Sequence, residues 1–286
     1  MKPAKLIALF LIPILFSSCL KDKCTKSYVI YTPVYKSMTE VRANIKSNSP
    51  RILERPGKIF IRDNYIFLNE LDKGIHVIDN SNPASPQNIA FIDIPGNIDI
   101  AVKGNTMYAD CYADMVTLDI TNPLQATLKN VRENEFPFRF YTNGFSPEPG
   151  KVIVDWIRKD TTVITDCNGG FFFNSCSSCS FVADASSVSL NSKNSTPYGA
   201  GIAGSMARFA IVNNYMYTVS VAELHAYDIS SAHTPQFLNK STVGWNIETI
   251  FPFKENLFIG SSTGMFIYSI SNPTTPARVS QFSHAR

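Results

Sequence analysis

The stretch Gly74–Pro83 reads GIHVIDNSNP, and three further segments of the chain align with it without gaps. They are Met115–Pro123 (MVTLDITNP), Leu224–Ser230 (LHAYDIS) and Met265–Pro273 (MFIYSISNP). Each apolar run ends in an anchor residue, and the anchors are Asp79, Asp119, Asp228 and Ser269. The first two anchors are 40 residues apart and the last two 41, while the middle gap of 109 leaves room for one more unit and an insertion. A repeat of about 40 residues therefore organises the chain.

A second landmark precedes each anchor by 13 to 15 residues: a polar pair ending in Asn, followed by a short apolar run. The pairs are Asp63-Asn64, Gly104-Asn105, Asn213-Asn214 and Glu255-Asn256. Each unit thus predicts four strands, with a tight turn after the first and an Asx-type turn after the third. In the second unit we expect strands at Ile98–Val102, Met107–Cys111, Val116–Ile120 and Leu128–Val131. This pattern predicts an all-β fold, a β-propeller of four-stranded blades.

Several sequence segments of this chain resemble those of a known family. Gly74–Pro83, with Ile94–Asn105 (IPGNIDIAVKGN) and Gly204–Phe209 (GSMARF), resembles the LVIVD-repeat lipoproteins of Bacteroidota. The resemblance spans most of residues 57–286 and implies a β-propeller on the cell envelope. It implies no known reaction, ligand or catalytic residue. Members of the family continue past a phrase like Ser-His-Ala-Arg, whereas this chain ends at Arg286, so a truncated product with an incomplete ring is one hypothesis.

We count about five units within the repeat region, residues 58–286. The fifth is the irregular stretch Phe138–Thr165, with strands expected near Lys151–Ile157 and Thr161–Thr165. A ring can close with an N-terminal strand, and Tyr28–Val34 is the candidate for it. An open arc would instead expose two apolar blade faces to solvent.

The N-terminus has the layout of a secretory signal peptide, residues 1–18, with two lysines before the apolar run Leu6–Phe16. That run is too short to span a bilayer as a helix. Small residues directly before Cys19 resemble the lipobox of bacterial lipoproteins, which predicts lipidation of Cys19. Ordinary cleavage near Ser18, with Cys19 as a thiol, is the alternative. The first interpretation predicts an outer membrane lipoprotein of the cell envelope, with residues 19–57 as its tether.

Residues 167–204 break the repeat with a serine-rich, low-complexity insertion. Cys167, Cys176 and Cys179 lie there with the spacing C-x8-C-x2-C. Three sulfurs without a nearby His are one ligand short of a tetrahedral zinc site. A local disulfide, unpaired thiols and a metal site all stay open, in that order of preference.

Few residues in the chain are candidates for catalysis or ligand binding, and a purely structural role is an alternative for each of them. His76 and His225 occupy one repeat position, where the other copies have Val116 and Phe266, which favours packing over metal binding. The recurring anchor aspartates are expected to cap turns. Four charged residues are candidates for the lining of a propeller channel: Asp99, Asp110, Arg139 and Asp155. Trp156 and Trp245 could stack on sugars, although burial in the blades is favoured for both.

Composition narrows the function classes. The chain of 286 residues is 44% hydrophobic and 17% charged, which is typical of a folded protein. Its formal net charge of +3 argues against a nucleic-acid partner. No phosphate loop, nucleophile elbow or other catalytic motif is present, and we expect no cofactor. The predicted function is a lipid-anchored binding or interaction scaffold with a protein or glycan ligand; a glycan-active enzyme at the channel and a purely structural envelope component are the alternatives.

Overall fold

The structure is a computed structural model, and it describes residues 23–137, 139, 147–166, 181–184 and 207–283. Cys19 and the three cysteines of the insertion lie outside these ranges. The elements in chain order are β1 (Lys23–Ser37), α1 (Met38–Ala43), β2 (Ser47–Asn48), β3 (Pro56–Arg62), β4 (Tyr65–Glu70), β5 (Gly74–Asp79), β6 (Gln87–Asp93), β7 (Ile100–Lys103), β8 (Thr106–Cys111), β9 (Asp114–Asp119), β10 (Thr127–Arg132), β11 (Lys151–Asp166), β12 (Phe181–Asp184), β13 (Phe209–Val212), β14 (Tyr215–Val219), β15 (Glu223–Asp228), β16 (Gln236–Thr242), β17 (Ile247–Phe253), β18 (Asn256–Ser261), β19 (Gly264–Ser269) and β20 (Ala277–Ser283). Within the described ranges, no helix has the length and apolar character that crossing a membrane would require.

Four antiparallel sheets follow one another along the chain, and each is a meander of consecutive strands. We name them blade 1 (β3–β6, with β2 added at the outer edge), blade 2 (β7–β10), blade 3 (β13–β16) and blade 4 (β17–β20). The first strands of neighbouring blades lie against each other. The predicted propeller-type, four-stranded units are therefore confirmed, although these sheets do not close into a ring.

The predicted turns explain why the sequence forms these strands. The first residue of each tight turn, Asp63, Gly104, Asn213 or Lys254, has a φ between 51° and 54°, the left-handed conformation that two-residue hairpins require. In blade 4 the turn is Lys254-Glu255, one residue earlier than the predicted pair.

The anchor residues cap the turn after the third strand, as predicted. Asp79 Oδ1 accepts from the amide of Ser81 at 2.8 Å, and Asp119 Oδ1 accepts from the amide of Thr121 at 2.9 Å. Asp228 repeats the bond with Ser230 at 2.7 Å. The carboxylate replaces the hydrogen-bond partner that the turning backbone loses.

The blades bury one face against each neighbour. We call the face towards the next blade the leading face, exemplified by Phe67 in blade 1, and the face towards the previous blade the trailing face, exemplified by Val116 in blade 2. These two residues share one apolar core between blades 1 and 2. Tyr108 and Met216 share a core between blades 2 and 3, and Tyr217 and Phe266 one between blades 3 and 4. Burial of apolar surface therefore links the blades in series.

A separate unit comprises the described parts of residues 1–34 and 155–196. There β1 pairs with β11 on one side and with β12 on the other, and Tyr28–Tyr31 lies opposite Phe181–Asp184. The candidate ring-closing strand, Tyr28–Val34, thus lies in a three-stranded sheet beside β11. In the described residues of the stretch counted as a fifth unit, one long strand, β11, covers both strands expected near Lys151–Ile157 and Thr161–Thr165.

Candidate functional site

A row of charged residues connects the first strands of three blades. By the strand register, Lys58 in β3, Asp99 just before β7 and Arg208 just before β13 occupy corresponding positions. Lys58 Nζ lies 2.9 Å from Asp99 Oδ1. The backbone amides of Arg208 and Phe209 donate to Asp99 Oδ2 at 2.5 and 3.1 Å. Asp99 therefore ties blades 1, 2 and 3 together at one end of their first strands.

Asp110 completes this network from the second strand of blade 2. Its Oδ1 accepts from the amides of Ile98 and Asp99 at 2.8 and 2.9 Å and from Asn97 Nδ2 at 2.8 Å. Its Oδ2 accepts from Arg208 Nη1 at 2.9 Å. Both aspartates are fully buried, so hydrogen bonds and two cations replace water around them.

Burial raises the pKa of Asp99, and the charge of Lys58 opposes that shift. Two neighbouring carboxylates with different surroundings are the arrangement that glycan hydrolysis uses. Here, however, the pair faces protein donors on all the described sides and has no solvent-exposed oxygen that a substrate could reach. The geometry fits a structural link between blades.

The other two channel candidates lie apart from this network. Arg139 pairs with Asp72, donates to the carbonyl of Gly96 at 2.7 Å and stacks over Tyr112. It therefore fastens the turns of blades 1 and 2. Asp155 is an exposed residue of β11, in the other unit. The structure thus brings Asp99 and Asp110 together and leaves Arg139 and Asp155 with other roles.

A second buried network centres on Glu135, which follows blade 2 and is 2% exposed. Its Oε1 accepts from Thr218 and from His225 Nδ1, the latter at 2.8 Å. Its Oε2 accepts from the hydroxyl of Tyr227 and from Arg132 Nε, the latter at 3.1 Å. Three of these four partners, Thr218, His225 and Tyr227, lie on the trailing face of blade 3, while Arg132 ends the last strand of blade 2. This polar cluster accompanies the apolar core between blades 2 and 3.

The ionisation of this cluster follows from its partners. Burial raises the pKa of Glu135, but the hydrogen bond and positive charge of His225 outweigh burial and leave the pKa lowered. Burial lowers the pKa of His225, but the hydrogen bonds and negative charges of Glu135 and Glu223 together outweigh burial, so the net pKa is raised. Burial and the nearby carboxylate also raise the pKa of Tyr227. The charged pair is therefore the stable form inside the interface.

The packing role predicted for the two histidines is confirmed. His76 and His225 are both buried and meet Phe91 and Phe237 edge to face, with ring centroids 4.8 and 5.9 Å apart. Each also has a carboxylate partner that the repeat pattern did not indicate. For His76 it is Glu70, with His76 Nε2 and Glu70 Oε2 3.1 Å apart.

A small cavity lies beside Arg208, between blades 3 and 4. Its volume is about 30 Å³, enough for about two water molecules. Its lining combines apolar side chains with one charge of each sign: Phe136, Val219, Val221 and Ile247, with Arg208 and Glu248. The cavity is too small for a sugar or a peptide side chain.

Large apolar side chains are exposed on and beside blade 4. Trp245, in the loop before β17, is 73% exposed, and Phe251, Phe253 and Phe282 are more than half exposed. The burial predicted for Trp245 is therefore wrong, whereas Trp156 is half-buried in the three-stranded sheet. These four side chains therefore add exposed apolar area to this end of the described chain.

Four of the predicted site residues lie outside the described ranges, namely Cys19, Cys167, Cys176 and Cys179, and their roles stay predictions. Within the described part of the chain, no group of three or more His, Cys, Asp and Glu side chains could hold a metal ion. Cys111 is buried, and burial raises the pKa of its thiol to about 12. Such a thiol is chemically inert at neutral pH.

Sequence reasoning missed Lys58, Arg208 and Glu135. The first two had a signal, because aligning the repeats on their tight turns puts a cation, an anion and a cation at corresponding positions of blades 1, 2 and 3. Glu135 had none, since it lies outside the repeat and reaches its partners only through the packing of two blades.

Comparison with known proteins supports the repeat. Residues 57–91 and 97–131, which cover blades 1 and 2, match the LVIVD repeat. The repeat resemblance is confirmed for these two blades, while lipoprotein status and a Bacteroidota source stay predictions. The chain has no sequence match among curated proteins.

Solved structures with a similar fold share little sequence. The periplasmic gluconolactonase of Pseudomonas aeruginosa is 8% identical, with a TM-score of 0.48 over 80% of this chain and 54% of that one. A functionally unknown protein of Desulfotomaculum acetoxidans is 8% identical, with a TM-score of 0.39 over 91% and 80%. AztD of Citrobacter koseri is 11% identical, with a TM-score of 0.30 over 79% and 58%. The chain spans about half the length of the gluconolactonase, and likenesses this distant carry no functional argument.

Proposed function

We propose that this chain is a lipid-anchored β-propeller protein of the bacterial cell envelope that acts as a binding or interaction scaffold. The match of two blades to the LVIVD repeat and the N-terminal sequence up to Cys19 support this proposal. Acyl chains attached to Cys19 anchor the protein in the outer membrane, and its ligand is a protein or a glycan of the envelope.

The observation that carries the scaffold role is the exposed aromatic surface of the last blade. Trp245 and the phenylalanines of blade 4 expose apolar area that a monomeric soluble domain would bury. Recognition needs such a surface, whereas catalysis needs reactive groups that a substrate can reach. In the described residues the converging carboxylates, Asp99 and Asp110, are buried and already paired. The scaffold is therefore favoured over the alternative, an envelope enzyme acting on glycans.

Cys19→Ala is expected to abolish acylation and release the protein from the membrane. Because each buried methylene contributes about 0.8 kcal/mol, losing all acyl chains removes the anchor. The measurement is incorporation of labelled palmitate, followed by membrane fractionation. Cys24→Ala, five residues further on, serves as the control and should keep label and membrane location. Label retained by Cys19→Ala would contradict lipidation at this residue.

Trp245 is expected to report ligand binding through its fluorescence. The chain has two tryptophans, so Trp156→Phe leaves Trp245 as the only indole. Titration of that variant with peptidoglycan fragments, and separately with solubilised outer membrane proteins, should shift or quench the emission for one of the two. Trp245→Phe, tested by calorimetry with the same probe, should weaken binding about tenfold.

Two results would count against the scaffold. Release of reducing ends from the glycan probe would favour the enzyme. No binding of either probe to the folded, membrane-anchored protein would remove the support that the aromatic surface provides.

A further inference from the structure

The leading faces of the four blades carry one aromatic column. The residue two positions after the start of each second strand is Phe67, Tyr108, Tyr217 or Phe258. The first three are completely buried against the following blade, while Phe258 is only half-buried. The repeat therefore places at Phe258 a side chain that, in every other blade, packs on a neighbour.

The first strand of blade 4 shows the same departure more strongly. Phe251 corresponds to Phe60, which is half-buried in the interface between blades 1 and 2, and to Ala101 and Ala210, which are buried in blades 2 and 3. Phe251 itself is 62% exposed. On the third strand, Met265 and Ile267 are half-buried although their counterparts in the other blades are buried. The whole leading face of blade 4 thus has the composition of a blade interface without a blade against it.

The trailing face of blade 1 also exposes apolar side chains that the other blades bury. Ile59 is 59% exposed, whereas its counterparts Ile100, Phe209 and Ile250 are buried against the preceding blade. Ile61, two residues further, is equally exposed. The outer part of this face is covered, because Arg51 stacks over Phe91 and residues 50–55 cross it. The inner part, around Ile59 and Ile61, remains accessible.

Three interfaces within the chain show which surface fits these two faces. Each time, a leading face packs on a trailing face. Two interfaces add a hydrogen bond from the column tyrosine, Tyr108 to the carbonyl of Ala232 at 2.7 Å and Tyr217 to that of Pro273 at 3.0 Å. The interface between blades 1 and 2, where Phe67 has no hydroxyl, forms without it. Phe258 resembles Phe67, so the leading face of blade 4 fits a trailing face through apolar packing alone.

We propose that two copies of this chain associate head to tail, with the leading face of blade 4 of each copy packed on the trailing face of blade 1 of the other. The inference rests on the proposed scaffold function and identifies a second copy of the chain as one partner of the scaffold. A second copy presents the missing face in the geometry of the repeat, and two-fold closure leaves neither face exposed. Two sets of four blades make eight, which is within the usual range for propellers.

The first test measures the mass of the full chain in nonionic detergent by size-exclusion chromatography with light scattering. The expected protein mass is that of two processed chains, each weighing the 31.8 kDa of the full sequence less residues 1–18, and it should fall to that of one chain on dilution. Phe251→Glu should raise the dissociation constant of the dimer at least about tenfold, because a charge in an apolar interface loses its hydration. Ile157→Glu is the matched control, since Ile157 is 60% exposed on β11 and should leave the dimer unchanged.

The second test checks the head-to-tail arrangement by charge pairing. Ile59→Lys alone should weaken the dimer as Phe251→Glu does, whereas the double variant should recover at least about tenfold in affinity relative to either one. Both positions are exposed in the single chain, so circular dichroism should show unchanged folding. A monomer at all concentrations, or a dimer that neither substitution affects, would overturn the proposal. Either result leaves the proposed function to the Trp245 titration, because Trp245 lies in the loop before β17 and not among the strand residues of the leading face.

Discussion

Glu135→Ala is expected to lower the free energy of unfolding by about 3 kcal/mol at pH 6, because it removes the buried carboxylate that pairs with His225, which then keeps only Glu223, 3.2 Å from its Nε2. In this protein the substitution also leaves Thr218, Tyr227 and Arg132 without their shared acceptor. Three of the four donors belong to blade 3, while Arg132 and Glu135 belong to or follow blade 2. The variant should therefore loosen the packing of these two blades, and urea unfolding of the full chain measures the loss.

The pH dependence of this loss identifies the pair as its cause. Glu135 has a lowered pKa in the folded chain, so its contribution is present above the ordinary value of 4.5 and disappears as the pH falls through the folded value. His225 has a raised pKa, so its contribution is complete below the ordinary value of 6.5 and disappears as the pH rises through the folded value. The difference between wild type and Glu135→Ala should be largest between pH 4.5 and 6.5.

Glu133→Ala provides the control for this experiment. Glu133 is two residues away and pairs with Arg42 at 2.6 Å, but its side chain is 63% exposed. Exposed pairs contribute at most about 1 kcal/mol, so the control should change stability little and show no maximum in this pH range. An equal loss from both substitutions would mean that the buried network does not hold the blades together.

Gly74→Ala is expected to destabilise blade 1 by about 3 kcal/mol or more. Gly74 begins β5 with a φ of 144°, a conformation that side chains rarely allow. A Cβ there would overlap the carbonyl oxygen of Ile92 and lie 2.8 Å from the amide nitrogen of Ile94. Both atoms belong to the backbone, so no rotamer change relieves the overlap. Thermal unfolding of the full chain measures the effect.

Gly104→Ala is the matched control for Gly74→Ala. Gly104 also has a positive φ, 54°, but open space surrounds the position of its Cβ. Asp63 and Asn213 adopt this conformation at the corresponding turns, so alanine should cost only about 1 kcal/mol. If the two substitutions destabilise equally, backbone crowding at Gly74 is not the cause.

The blade architecture was predictable because its signals are local. An anchor aspartate bonds to an amide two residues away, and a hairpin turn needs a left-handed residue at a fixed place. Such short-range requirements repeat with the blade, and therefore the sequence displays them as a period. The error of one residue at Lys254 arose because Glu255-Asn256 imitates the polar pair of the other turns.

The sequence did not predict the partners of the strands in the fifth unit and of the candidate ring-closing strand, for a related reason. Both predictions fell on stretches without an anchor or a tight turn, where strand propensity alone remained. Propensity indicates that Lys151–Asp166 and Tyr28–Val34 are extended but does not choose their partners. They pair with each other and with Phe181–Asp184 through hydrogen bonds between residues far apart in sequence.

The sequence by itself determined the repeat, its four-strand unit, the capped turns and the packing role of His76 and His225. Only the tertiary structure decided which charged residues meet, as Asp110 does with Arg208 and Glu135 with His225, and which apolar faces are left without a described neighbour. The reason is physical: a turn is specified by atoms within a few residues, whereas a blade interface is specified by side chains about 100 residues apart whose shapes and charges meet only after both blades have folded.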